Sequence, residues 1–78
     1  MEMLKYKNIY CTYLKQGNTK NGNPIYILNF FKLVDDEYIN INHKFKEQKD
    51  SKNNVKVSSY NIDQHIEFLV NIFEYNLK

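Results

Sequence analysis

The sequence predicts an α+β domain: a four-stranded antiparallel meander with one C-terminal helix packed across one of its faces, in the order ββββα. Three observations lead there. Tracts rich in Ile, Tyr, Phe and Val lack a helical period and are parted by turn residues, QGNTKNGNP and Asp35-Asp36. A polar run, EQKDSKNN, isolates a fourth short tract of the same kind. Only from Asn61 onward do apolar residues recur at helical spacing. At 78 residues the chain makes one domain, residues 1–78.

The first tract, Lys5 to Lys15 (KYKNIYCTYLK), sorts into Ile9, Cys11 and Tyr13 on one face and Tyr6, Asn8, Tyr10 and Thr12 on the other. Gln16 to Pro24 holds both glycines and the only proline, so it forms a turn or hairpin loop, with Asn21-Gly22 suited to a tight turn. Pro24 fits the first position of the next strand. Ile25 to Val34 (IYILNFFKLV) is apolar on both faces: Ile25, Ile27, Phe31 and Leu33 on one, Tyr26, Leu28, Phe30 and Lys32 on the other. A strand of that kind is central or exposes aromatics for a reason.

After the Asp35-Asp36 turn, Glu37 to Lys46 alternates, with Ile39, Ile41 and Phe45 directed inward and Tyr38, Asn40, Asn42, Lys44 and Lys46 outward. Glu47 to Asn54 is a polar loop, the segment most suited to disorder. Val55 and Val57 point inward from the fourth strand, Lys56 and Ser58 outward.

The helix begins at an Asn61 N-cap, with Gln64 spaced for a capping box and Asp63 in the positive first turn. Ile62, Ile66, Leu69, Val70, Phe73 and Leu77 form one continuous apolar stripe. Beside it runs a second: His65, Phe68, Ile72 and Tyr75. At about 100° per residue the two cover more than half the circumference, beyond what one small sheet can bury. The second stripe is therefore expected to meet a copy of this chain or a foreign protein. A chain this short buries only roughly 60–65% of its unfolded surface, which also favours a homodimer.

Composition narrows the function classes. A single cysteine, Cys11, excludes an internal disulfide and multi-cysteine zinc motifs. No secretory leader and no membrane span are visible, so a cytoplasmic protein is expected, in the host cell if phage-encoded. Every basic residue is Lys, Arg, Ala and Trp are absent, and Asn, Ile and Tyr abound, the mark of AT-rich coding. Residues 1–58 carry ten lysines against six acids, while residues 59–78 carry one against three. The basic surface thus precedes the helix.

No catalytic, metal or cofactor site is expected. Asp35, Asp36 and Glu37 sit on a turn, Cys11 faces inward as a small hydrophobe, and His43 and His65 lack partners at metal-ligand spacing. Asn21-Gly22 matches no phosphate-cradling motif. What remains is the outward sheet face. Placed there by alternation, Tyr10, Tyr26, Phe30 and Tyr38 interleave with Lys32, Asn42, Lys44 and Lys56. Single-stranded nucleic acid asks for such a surface, rings for the bases and lysines for the phosphates.

The stretches VKVSSYNIDQHIEFLVNIF and NPIYILNFFKL, in the ββββα order, resemble the PUR, Whirly and transcriptional positive cofactor four group of single-stranded nucleic-acid-binding proteins. That resemblance implies a dimer joined partly through the helix and a curved sheet surface for DNA or RNA. The alternative expectation is a small phage or mobile-element protein, of the anti-CRISPR kind, that binds and inhibits a host defence protein through His65, Phe68, Ile72 and Tyr75.

Overall fold

The computed structural model describes residues 3–76 and has the predicted α+β architecture. Strands β1 (Met3–Tyr6), β2 (Ile9–Asn18), β3 (Pro24–Val34) and β4 (Glu37–Asn40) form an antiparallel meander. A 3-10 turn (Asn42–Lys44), a fifth strand β5 (Val55–Ser58) and helix α1 (Ile62–Asn76) follow. Leu77, placed by its spacing in the first stripe, and Lys78 lie outside the described residues.

The first expected strand is in fact a hairpin. The chain reverses at Lys7-Asn8, where Lys7 takes a φ of 56°, so Tyr6 pairs with Ile9 and Leu4 with Cys11. Tyr6 thereby joins the inner face, where its hydroxyl donates to the Asp63 carbonyl at 3.4 Å. The other turns follow their residues. Gly22 adopts φ 87° in the loop that Thr19 closes onto Asn23. Asp35 and Asp36 both take positive φ, 51° and 66°, the requirement of a two-residue turn between Val34 and Glu37.

β3 is the spine. One edge pairs with β2, and the other is shared end to end by β4 along Phe31–Val34 and β5 along Ile25–Leu28. The expected strand from Glu37 to Lys46 stops at Asn40. The chain leaves the sheet there because Phe45 must reach the core, where it stacks between Phe30 (centroids 3.9 Å apart) and Phe73 (4.8 Å). Ile41 and Phe45 are buried as expected. Ile39 is exposed, and His43, expected on the inner side, is exposed on the 3-10 turn.

The loop after the 3-10 turn is folded. Asp50 accepts the backbone N–H groups of Lys52 and Asn54, both at 2.9 Å, and Lys49 donates to the carbonyls of Phe45 and Glu47. Two amides, one ammonium and one carboxylate thus supply what the apolar residues of this segment cannot.

The core lies between the sheet's inner face and the helix. Ile9, Cys11, Leu28, Phe30, Val55 and Val57 meet Ile62, Ile66, Leu69, Val70 and Phe73. The first helix stripe thus packs as predicted. Asn61 caps the helix through its side-chain oxygen to the Gln64 N–H (3.3 Å), while Asn61's own N–H is taken by the Ser59 hydroxyl (3.2 Å).

Candidate functional site

Two surfaces stand open, one on each layer. On the helix, Phe68 is 60% exposed, Tyr75 78% and Ile72 41%, with His65 half-buried beside them. Helical spacing sets this: residues 65, 68, 72 and 75 fall off the stripe that faces the sheet. Tyr60, in the connecting loop just before the helix, is 78% exposed as well and was not singled out by spacing. Two hollows flank the stripe. One is lined by Ser59, Asn61, Gln64, His65 and Phe68; the other runs between Leu69, Ile72 and Phe73 and the segment Lys44–Glu47.

The second surface is the outer face of the sheet. No outer-face residue of the five strands is buried, because the helix and the whole core occupy the opposite side. Tyr10, Phe31 and Tyr38 form an edge-to-face group, Tyr10–Tyr38 at 5.2 Å and Phe31–Tyr38 at 6.4 Å, with the Lys5 ammonium 5.5 Å from the Tyr10 ring. Leu14, Ile25 and Ile27 cover the other end. The β3–β4 hairpin runs past the helix, so Val34 and Ile39, which point to the inner side, are exposed as well.

This geometry corrects half of the expected nucleic-acid surface and more. Tyr10, Tyr38 and Lys56 do share the outer face. Phe30 is fully buried, and Tyr26 packs against the core with its ring 5.8 Å from Tyr13. The cause is register: β2 pairs Cys11 with Phe30 and Tyr13 with Leu28, which commits Tyr26, Leu28, Phe30 and Lys32 to the inner side. Lys32 sits there half-buried between Ile9 and Ile39. Asn42 is buried at the seam between β4 and β5. Lys44 is exposed, but it borders the helix groove and not the sheet face.

Lys5, Ile25, Ile27, Phe31 and Leu33 are outer-face residues that alternation within single strands did not reveal. The signal was present in the two-residue reversal at Lys7-Asn8 and in the Cys11–Phe30 pairing, both of which are facts about pairing and not about one strand.

Cys11 is enclosed by the core, its thiol donates weakly to the Thr12 carbonyl at 3.5 Å, and burial pushes its pKa up to about 12. A thiol so placed is neither ionised near neutral pH nor reachable. Among the described residues no group of three or more His, Cys, Asp and Glu side chains converges as metal ligands would, and no helix is long and apolar enough to cross a membrane. Comparison with protein-family models, curated proteins and solved structures returned no match for this chain.

Proposed function

We propose that this chain is a small non-enzymatic protein-binding module that docks on a partner protein through Phe68, Ile72 and Tyr75. The observation that carries it is the exposure of Phe68 (60%), Ile72 (41%) and Tyr75 (78%) along one side of an otherwise well-packed helix. Aromatic anchors bordered by hollows are what protein interfaces use, and a surface with no such role rarely keeps them together. Occlusion of a host protein by a phage or mobile-element inhibitor requires nothing beyond such a surface.

The nucleic-acid reading has weaker support. Only Tyr10, Tyr38 and Lys56 of its eight residues share the sheet face, and Asp35, Asp36 and Glu37 stand next to Tyr38, where they repel phosphate.

Affinity capture with the native chain as bait, from nuclease-treated lysate, tests the proposal against Phe68→Asp and Tyr75→Asp baits. A protein held by the native chain and lost by both variants is expected; equal retention by all three baits overturns the assignment. Fluorescence anisotropy with labelled oligonucleotides across a salt series is expected to show no binding, and affinity that falls steeply with salt would restore the nucleic-acid reading.

A further inference from the structure

We propose that the outer sheet face is covered by a second copy of this chain, packed face to face with its strands running the opposite way, so that the acidic β3–β4 tip of each protomer lies over the end of the other that bears Lys56. The proposal concerns the layer opposite the helix and does not depend on what the helix stripe binds.

Area is the first support. The strands span 4, 10, 11, 4 and 4 residues. At about 3.4 Å per residue and about 4.8 Å between strands, the sheet presents a footprint on the order of 500 Å² per copy. Two such faces come to about 1,000 Å², the threshold for a specific interface, before the relief of the side chains is added. Two twisted sheets pack in this way at about 10 Å separation.

The second support is the arrangement of residues along the face. Thr12 and Asn29, paired across β2 and β3, mark its middle. On one side of them lie the rings of Tyr10, Phe31 and Tyr38; on the other lie Leu14, Ile25 and Ile27. A two-fold axis passing near Thr12–Asn29, in the plane between the sheets and perpendicular to the strands, sets each aromatic half on the partner's aliphatic half. The face is therefore complementary to its own inverted copy, the condition for an isologous interface.

Charge is compatible with this orientation. Residues 3–34 contain no acid, so β1, β2 and β3 carry none. The acids of the sheet are gathered at one tip, Asp35, Asp36 and Glu37. The opposite end bears Lys56 on the outer face, beside Ile27, and Lys20 in the loop between β2 and β3. Inverting the strands places each acidic tip at the partner's lysines.

Sedimentation equilibrium on the native chain and on three variants tests the proposal. The native chain is expected to be a dimer at micromolar concentration. Leu14→Lys, a change at a position 59% exposed, is expected to raise the dimer dissociation constant at least about ten-fold, with an unchanged far-UV spectrum. Lys56→Glu is expected to weaken the dimer, and the double variant Lys56→Glu/Asp36→Lys to recover at least half of that loss. A native chain that stays monomeric at 100-fold higher concentration, about the range of weak encounters, overturns the proposal. So does a dimer that withstands Leu14→Lys and is split by Phe68→Asp, which would place the contact on the helix. Failure of double-variant recovery overturns the inverted orientation. Loss of partner capture by Phe68→Asp with the dimer intact would leave both readings standing on their separate surfaces.

Discussion

The side-chain oxygen of Asn42 accepts the backbone N–H of Phe30 at 2.8 Å, at the point where β4 has ended and β5 has not begun. The Ile41 N–H donates to the Phe30 carbonyl at 2.9 Å beside it. Asn42 then spends its own amide protons on the Asn29 side-chain oxygen (2.9 Å) and the Asn53 carbonyl (3.0 Å). One side chain thus stands in for a missing strand residue and ties the folded loop to the sheet.

Asn42→Ala should therefore destabilise the fold by more than an ordinary surface change. It strands a buried N–H on Phe30 and two acceptors, and a cost of about 2–3 kcal/mol is expected. Urea unfolding checks it: the midpoint should fall with the slope unchanged. Asn42→Asp keeps an acceptor for Phe30 but turns a carboxylate toward two oxygens, so it should be no better than Ala near neutral pH. A midpoint equal to that of the native chain would mean that the seam is stitched in some other way.

Phe45 carries the second consequence of the same detour. Its ring is layered between Phe30 and Phe73, and no other residue of the 3-10 segment joins this stack. Phe45→Ala is expected to cost about 3–5 kcal/mol and Phe45→Leu about 1–2 kcal/mol. Thermal melts followed by far-UV circular dichroism separate the two, and similar midpoints for both would show that the cavity collapses around the smaller side chain.

Much of this was legible in the residues, and the parts that were not share a cause. The helix, its Asn61 cap and its two stripes follow from spacing along one segment, and the structure places Ile62, Ile66, Leu69, Val70 and Phe73 in the core and Phe68, Ile72 and Tyr75 outside it. β3 is apolar on both faces, so alternation could list its two sides without saying which one meets the helix. That choice rests on the pairing of Cys11 with Phe30, a contact between residues far apart in sequence. The same holds for Asn42, which continues a clean alternation and is directed inward only because Phe45 pulls the chain out of the sheet.

The β3–β4 turn gives a prediction of the opposite sign. Asp35 and Asp36 both occupy the left-handed region, which L-residues enter at a cost of about 1–2 kcal/mol, less for Asp than for bulkier side chains. Asp36→Gly is expected to raise stability by up to about 1 kcal/mol, whereas Asp36→Val should lower it by about 1–2 kcal/mol. Both are exposed-site changes, so the difference in denaturation midpoint reports the backbone directly. Equal midpoints would indicate that the turn relaxes at no cost.

Alkaline pH should unfold the chain through its inner face. Burial raises the Cys11 pKa from an ordinary 9.0 to about 12 and, with Asp63 and Glu67 adding repulsion, also raises that of Tyr6 above 10.0. Between pH 9 and about 12 the unfolded chain has lost the Cys11 proton while the folded chain still holds it. The folded state binds more protons in that window, so stability is fully present below pH 9 and declines as pH rises toward 12. Cys11→Val, close in volume and without a proton to lose, should flatten the decline and leave the smaller Tyr6 contribution. Denaturation midpoints measured between pH 8 and 11, about the span in which the slope develops, check this. A thiol reagent at pH 8 gives a second reading, with labelling expected only as fast as the chain opens globally. Rapid labelling of the folded protein, or the same alkaline slope in Cys11→Val, would show that the thiol is not held under the helix.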